Sequence, residues 1–238
     1  MRAECPHGLV AARLSGTIPV MTEDDKSCRL GARGWMHRCW GRGRYYPAGL
    51  PPEWRYTFYS HRQSSVLIPA SALRTPDFLA VWRDETPPGF QPVLELPMAR
   101  LHEDLPPVAE DADWLGGYLV RASRGLSAGD IRRLAAVSRS MPVAVDVIRG
   151  RARAAAALAA EGIGLCGRPV QGLPAQGPFV VSLLGACDRM TLRAVLQALS
   201  ATRAPSGCAL FFTDPQTALT QIQEARLLQD LLPAQVPG

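Results

Sequence analysis

Residues 142–166, PVAVDVIRGRARAAAALAAEGIGLC, combine two short apolar segments with an alanine-rich stretch between them. The segments 142–147 and 163–166 lack the apolar–polar alternation of a half-exposed strand, so they are predicted to be strands buried on both faces. The stretch between them consists mainly of alanine, which favours a helix. Because parallel strands need a long crossover, commonly a helix, this unit predicts an α/β fold with a parallel sheet.

The same strand–helix unit recurs along the chain. Strands are predicted at 29–34, 65–70, 92–96, 118–122, 142–147, 163–166, 179–184 and 208–212. Helices are predicted at 52–63, 75–85, 127–140, 149–162, 188–203 and 216–232. Eight strands that alternate with helices favour a TIM-like (β/α)8 barrel. A doubly wound open sheet is the alternative, although no GxGxxG motif follows a strand to support its dinucleotide-binding form.

The ends of the chain and one crossover depart from this pattern. Residues 1–28 lack periodicity and are predicted to be a flexible N-terminal extension, 29–232 the barrel domain and 233–238 a C-terminal tail. Between the third and fourth strands, RLHEDLPPVAEDADW is too rich in proline and acidic residues for a helix. The third crossover is therefore expected to be shortened.

Hydropathy and cysteine usage indicate the cellular compartment of the protein. No apolar run approaches the ~20 residues that a membrane span needs, and the first 20 residues lack the continuous apolar region of a secretory signal. The six cysteines are scattered and form no CxxC pair, which is typical of reduced thiols. These features predict a soluble, cytoplasmic protein with no membrane partner.

The basic residues of this chain are almost all arginine. The formal net charge is +5, and Lys26 is the only lysine among 26 basic residues. This excess is typical of a GC-rich genome, and it also suits a protein that binds anions or nucleic acid. The compositional explanation is favoured, because net charge alone says little about fold or partner.

One segment carries a family resemblance. GARGWMHRCWGRGRYYPAGLP, residues 31–51, has the glycine, tryptophan, Tyr-Pro and Gly-Leu-Pro spacing that opens the YecE-like family, domain of unknown function 72. Four further resemblances follow in the family's order: WRDETPPGFQPVLELP (82–97), LHED (101–104), GPFVVSLLG (177–185) and CALFFTD (208–214). The chain is therefore identified as a divergent YecE-like protein, a resemblance that implies a TIM-barrel-like fold but no particular reaction.

The resemblance fails at polar positions near the strand ends. Where the family has a Glu and an Asn on its second strand, this chain has Leu67 and Pro69, and the third-strand Lys corresponds to Glu95. Four later family positions, an Arg, a His and two Asn, correspond to Ser182, Leu184, Thr213 and Asp214. Active sites of TIM barrels are built at the C-terminal ends of the strands. The departures therefore suggest an active site that is lost or rebuilt.

Several side chains at predicted strand ends could still do chemistry. Candidate catalytic residues are Asp146, Glu95 and His102, because a histidine beside two carboxylates can transfer protons. Candidate substrate-binding residues are Arg33, Trp35, Arg121, Arg149, Ser182 and Asp214. The favoured alternative is that arginines neutralise the carboxylates. Asp146 in particular, within an apolar strand, is expected to pair with Arg149 or Arg121.

Cofactors and nucleic acid are the remaining partners to consider. Too few oxygen ligands are left for Mg²⁺ or Ca²⁺, so no metal site is predicted, and no cofactor is identified. Between Arg29 and Arg62, arginines alternate with aromatic residues, a combination that can bind single-stranded nucleic acid. Aromatic packing in the core is the favoured alternative. At most weak, salt-dependent nucleic-acid binding is expected from this segment.

The function predicted is a YecE-like barrel with a ligand pocket at the C-terminal mouth, as a binding protein or a degenerate enzyme. The alternative is an enzyme of hydrolase or isomerase type that acts on an anionic phosphorylated or nucleic-acid substrate. Convergence of Asp146, Glu95 and His102 around an open cavity would favour the enzyme. Pairing of each carboxylate with an arginine would favour the binding protein.

Overall fold

A computed structural model describes residues 28–72, 77–101, 114–202 and 204–231. Nearly all of the predicted N-terminal extension, the C-terminal tail and the candidate residue His102 lie outside these ranges. No helix within them is long and apolar enough to cross a membrane.

Eight strands are present in the described part of the chain, each at a predicted segment and with ends that differ from the prediction by at most two residues. They are β1 (Arg29–Ala32), β2 (Leu67–Ile68), β3 (Val93–Pro97), β4 (Gly117–Ala122), β5 (Val143–Val147), β6 (Gly164–Leu165), β7 (Val180–Leu184) and β8 (Cys208–Phe212). Almost every residue in them is buried, which explains why the strands appear in the sequence as apolar runs.

The strands form two parallel sheets. One has five strands in the order β2-β3-β4-β5-β6, and the other has three in the order β1-β8-β7. The predicted α/β class with parallel pairing is confirmed. Single parallel bridges, Arg33 to Leu67 and Gly167 to Ser182, join the edges of the two sheets.

Within the described residues, five α-helices lie between strands and a sixth follows β8, each close to a predicted helix. They are α1 (Arg55–Ser60), α2 (Asp77–Glu85), α3 (Ala128–Ser138), α4 (Arg151–Ala160), α5 (Arg189–Ser200) and α6 (Ala218–Leu231). A capping box opens α3: the Ser127 hydroxyl accepts the Asp130 N–H, and the Asp130 carboxylate accepts the Ser127 N–H. This pair fixes the helix start at the residue that its sequence indicates.

Two crossovers lack an α-helix in the described residues. After β3 the chain forms a 3₁₀ turn, Met98–Leu101, before the undescribed residues 102–113. After β6 it forms only a 3₁₀ turn, Pro169–Gln171, within a small hairpin. Besides the third crossover, which the sequence predicts to be shortened, the crossover after β6 is without an α-helix, because residues 167–178 contain three glycines and three prolines, which disfavour a helix.

The apolar core consists of two clusters on opposite faces of the strands. An outer cluster packs the helices against the sheets. An inner cluster takes residues from both sheets: Leu67, Val93, Leu119, Ala144, Cys166, Phe179, Val181, Leu183, Ala209 and Phe211. The inner faces of the two sheets therefore pack against each other.

Candidate functional site

Three charged side chains point to the inner side at the carboxyl ends of neighbouring strands. Glu95 on β3, Arg121 on β4 and Asp146 on β5 each follow an inner-cluster residue by two positions. Side chains alternate between the two faces of a strand, so these three share the inner face. The register places Arg121 directly opposite Asp146.

Glu95 is held by two arginines. Its side chain is only 4% exposed. The Nε atom and one terminal nitrogen of Arg33 donate to the two carboxylate oxygens at 2.6 and 3.0 Å. A terminal nitrogen of Arg121 donates to Oε1 at 2.9 Å. A buried carboxylate is tolerated here because it accepts charge-assisted bonds from both sides.

Asp146 is held in the same way. Its side chain is 3% exposed, and Arg168 donates to Oδ1 from Nε at 3.0 Å and to Oδ2 from a terminal nitrogen. The Nε atom of Arg121 lies 3.8 Å from Oδ2. The hydrogen bond to Asp146 raises the pKa of Arg168. An arginine does hold Asp146, but its main partner is Arg168 and not the expected Arg149 or Arg121. Arg121 is the more distant partner, and Arg149 is exposed beyond β5 and makes no ion pair with Asp146 in the described structure.

Arg33, Glu95, Arg121, Asp146 and Arg168 thus form one chain of alternating charges, called here the ion-pair network. Three guanidinium groups stand against two carboxylates, so the network carries a net charge of +1. The Arg33 and Arg121 side chains are 38% and 47% exposed, whereas the carboxylates beneath them are buried. Arg33 and Arg121 each contact the carboxylates through two of their three guanidinium nitrogens. Both guanidinium groups therefore keep N–H groups that can donate to an anion approaching from solvent.

Arg168 was not a candidate from the sequence, and the loop after β6 explains its place. The Arg168 N–H donates to the Leu173 carbonyl across the small hairpin. Arg151, at the start of α4, donates to the carbonyl of Cys166 at 2.7 Å and anchors the base of the hairpin. Burial lowers the pKa of Arg151. A signal existed in the sequence: Arg168 follows inward-facing Cys166 by two positions, which is the strand period.

Two predicted binding residues face the outer side. Trp35 is buried at the centre of an aromatic cluster, 5.1 Å from the Tyr56 ring and 5.0 Å from the Trp82 ring. Ser182 lies between the inward-facing Val181 and Leu183, so its side chain points outward, and its Oγ is buried with no hydrogen-bond partner among the described residues. Neither residue joins the ion-pair network.

Asp214 serves the local structure before α6. Its carboxylate accepts the Gln216 N–H and the Thr217 hydroxyl, both at 3.0 Å, and its carbonyl accepts the Ala218 N–H. Side chains of Asp commonly satisfy backbone donors at a helix start in this way. The structure therefore brings together Arg33, Glu95, Arg121 and Asp146 of the predicted residues, and it places Trp35, Arg149, Ser182 and Asp214 elsewhere.

Most aromatic residues between Arg29 and Arg62 pack inside the protein. Trp40 stacks on Tyr59 with ring centroids 6.0 Å apart, and Trp40 Nε1 donates to the carbonyl of Pro215 at 2.6 Å. Desolvation raises the pKa of Tyr59 well above its usual value. Trp54 is an exposed exception. These placements fit the aromatic-core alternative, in which the rings are not available to stack on bases.

The described residues offer few groups for proton transfer or metal binding near the network. No three His, Cys, Asp or Glu side chains within 28–72, 77–101, 114–202 and 204–231 come together as a metal-ligand group. His37 lies beside Arg33, and its Nε2 is 3.0 Å from the Arg33 carbonyl. Burial lowers the pKa of His37, so the neutral imidazole is favoured. Both carboxylates are occupied by guanidinium groups, which leaves neither as a free base.

Solved structures of DUF72 family proteins are similar in fold to this chain. A DUF72 family protein from Thermotoga maritima superposes with a TM-score of 0.56 at 16% identity, over 85% of this chain and 99% of that chain. The fold is that of DUF72 family proteins. A second DUF72 protein, from Enterococcus faecalis, superposes with a TM-score of 0.58 at 11% identity, over 87% of this chain and 99% of that chain.

The DUF72 fold confirms the resemblance that the segment 31–51 indicates. At this level of identity the likeness concerns the fold alone. No family model and no curated protein matches the sequence.

Proposed function

We propose that the two sheets close into one TIM-like barrel and that its C-terminal mouth binds a small anionic ligand. Two observations support closure: the inner cluster draws on both sheets, and a bridge joins each pair of facing edges. At those edges the Gly34 N–H donates to the Leu67 carbonyl at 2.8 Å, and the Gly167 N–H donates to the Val181 carbonyl at 2.7 Å. Closure would remove the edges that an open sheet exposes.

The ion-pair network carries the proposal of an anion site. Its buried carboxylates orient Arg33 and Arg121 and leave N–H groups of both on the solvent side. A guanidinium whose orientation is already fixed loses little side-chain entropy when an oxyanion binds. The planar fork of arginine matches phosphate and carboxylate oxygens. A phosphorylated small molecule is therefore the ligand class that fits the mouth.

Binding without catalysis fits this geometry better than an enzyme. Proton transfer requires a group within hydrogen-bond reach of the substrate and free to exchange a proton. Glu95 and Asp146 each accept two or three N–H contacts from arginines instead. The acids act as supports for the arginines, so this is the site of a binding protein or a degenerate enzyme.

Replacing Arg121 by glutamine is expected to weaken binding of inorganic phosphate at least about tenfold, which equals ~1.4 kcal/mol. Arg121 is the only residue of the ion-pair network that contacts both carboxylates, and it is the most exposed of the three arginines. Isothermal titration calorimetry with phosphate and with glucose 6-phosphate measures the change. The same loss is expected for Arg33→Gln.

Arg139→Gln is the matched control for these two variants. Arg139 is exposed and precedes β5, at the opposite end of the strand from the network. Its substitution removes the same charge from the chain, so it reports any general effect of net charge. Equal phosphate affinity in wild type, Arg121→Gln and Arg33→Gln, with all proteins folded, would overturn the proposed site.

A further inference from the structure

Two cysteines lie side by side where the first and last strands pair. β1 and β8 are parallel with Arg29 opposite Ala209, so the preceding residues, Cys28 and Cys208, are the next pair in register. Neighbouring strands lie about 4.8 Å apart. Disulfides require Cα atoms roughly 4.4–6.8 Å apart. The register alone therefore brings the two backbones to a separation that a disulfide can span.

The two thiols also point to the same side. Cys28 is a buried member of the outer cluster, and the half-buried Cys208 packs against that cluster. Burial raises the pKa of the Cys28 thiol, and a hydrogen bond with Cys208 raises it further. The pair also lies under α6, since Gln229 donates to the Cys28 carbonyl at 2.8 Å.

The other described cysteines are engaged separately. The Cys39 thiol donates to the carbonyl of Pro215, and Gln221 donates to the sulfur of Cys187. Cys166 belongs to the inner cluster, on the other face of the strands. Among the described residues, the pair of Cys28 and Cys208 is the arrangement of thiols in which a bond can form without moving a strand.

We propose that Cys28 and Cys208 form a reversible disulfide that ties the first strand of the fold to the last. With hydrogen peroxide as the oxidant, the half-buried Cys208 reacts first, as its thiolate: its sulfur attacks one peroxide oxygen, the O–O bond breaks, and the hydroxide released takes up a proton to give water. Cys28 sulfur then attacks the sulfenic acid, and the second hydroxyl leaves as water with the Cys28 proton. Two thiols and one peroxide thus give one disulfide and two waters.

The bond would change stability more than structure. It would close a loop that extends from Cys28 to Cys208, most of the described chain. A crosslink over so long a loop restricts the unfolded ensemble strongly. The oxidised protein is therefore expected to melt on the order of 5 °C or more above the reduced protein. Reduction would restore the original melting temperature.

Mass spectrometry tests the proposal on the full chain. Reduced protein is treated with a stoichiometric amount of hydrogen peroxide, then denatured and alkylated with N-ethylmaleimide. The chain has six cysteines, and the expected result is two fewer alkylated thiols, together with a linked peptide that contains Cys28 and Cys208. Dithiothreitol should reverse both changes. Calorimetric melting of the same samples should show the rise in melting temperature.

Two serine variants complete the experiment. Cys208→Ser should show neither the linked peptide nor the rise in melting temperature, whereas Cys187→Ser should show both. The proposal is overturned if peroxide yields only sulfinic or sulfonic acids at these positions. It is also overturned if Cys28 links to a different cysteine, or if the linked protein melts below the reduced protein, since the bond would then be incompatible with the native register.

Discussion

Alanine in place of Gly164 is expected to lower the free energy of unfolding by about 3 kcal/mol or more. Gly164 lies in β6, and a Cβ atom there would overlap the carbonyl oxygen of Phe179, the residue before β7. The carbonyl oxygen of Val143 would lie 3.3 Å away on the other side. Both obstacles are backbone atoms, which cannot rotate away as a side chain can. The edges of the two sheets would have to separate.

Urea unfolding followed by circular dichroism measures this loss. Gly129→Ala is the control, because a Cβ atom there meets only the Ser127 hydroxyl at an ordinary 3.6 Å, and alanine favours the helix α3 by up to about 1 kcal/mol. Gly31→Ala should resemble Gly164→Ala, because its Cβ would overlap the Ser65 carbonyl at the other pair of edges. If Gly164→Ala unfolds at the same urea concentration as the wild type, the close approach of Gly164 to the Phe179 carbonyl is contradicted, and with it the proposed closure of the barrel.

Asparagine in place of Asp146 is expected to lower the free energy of unfolding by about 3 kcal/mol. The Asp146 side chain is 3% exposed and its partner Arg168 only 19%, so the change leaves a mostly buried guanidinium without its counter-charge. An amide also turns an N–H₂ group toward one of the arginine donors. Because the partners are arginines and not a metal, the loss should be the same with or without divalent cations.

Chemical denaturation in the presence and absence of magnesium chloride provides the measurement. Asp84→Asn is the matched control: Asp84 is 72% exposed and lies 3.3 Å from Arg83 on the surface. The free energy of unfolding of this control should fall by less than about 0.5 kcal/mol, since exposed ion pairs contribute little to stability. If Asp146→Asn destabilises the protein only when a divalent metal is present, the arginine support is the wrong description of this carboxylate.

The order of strands and helices could be predicted because burial leaves a direct trace in the sequence. Strands such as β5 and β7 are covered on both faces, so they appear as short apolar runs, and a polar capping pair marks the start of α3. The crossover after β6 could not be assigned as well. Its glycines and prolines disfavour a helix, but they do not specify the hairpin that forms.

The direction of side chains was harder to predict than the strands themselves. In a strand that is apolar on both faces, the sequence does not indicate which face is inner. Ser182 therefore seemed a site residue and points outward, while Arg168, two positions beyond inward-facing Cys166, was overlooked. Trp35 follows a strand end, yet its ring is large and apolar and packs against Trp82.

Charges at the strand ends were predicted more successfully, since parallel strands bring their carboxyl ends together. Glu95, Arg121 and Asp146 were assigned to one site on that ground, and they lie in one network. Their roles depend on how many arginines contact each carboxylate, which the sequence does not determine. Two carboxylates could have formed an acid–base pair, but three arginines contact them.

Thermal melting in a series of phosphate and divalent-metal concentrations tests the central claim that this network binds an anion. A ligand that binds only the folded state raises the melting temperature as its concentration exceeds the dissociation constant. The melting temperature should rise with phosphate, beyond the effect of sodium chloride at equal ionic strength, and should not respond to magnesium, manganese or zinc chloride. A rise with one of these metals and none with phosphate would contradict the account.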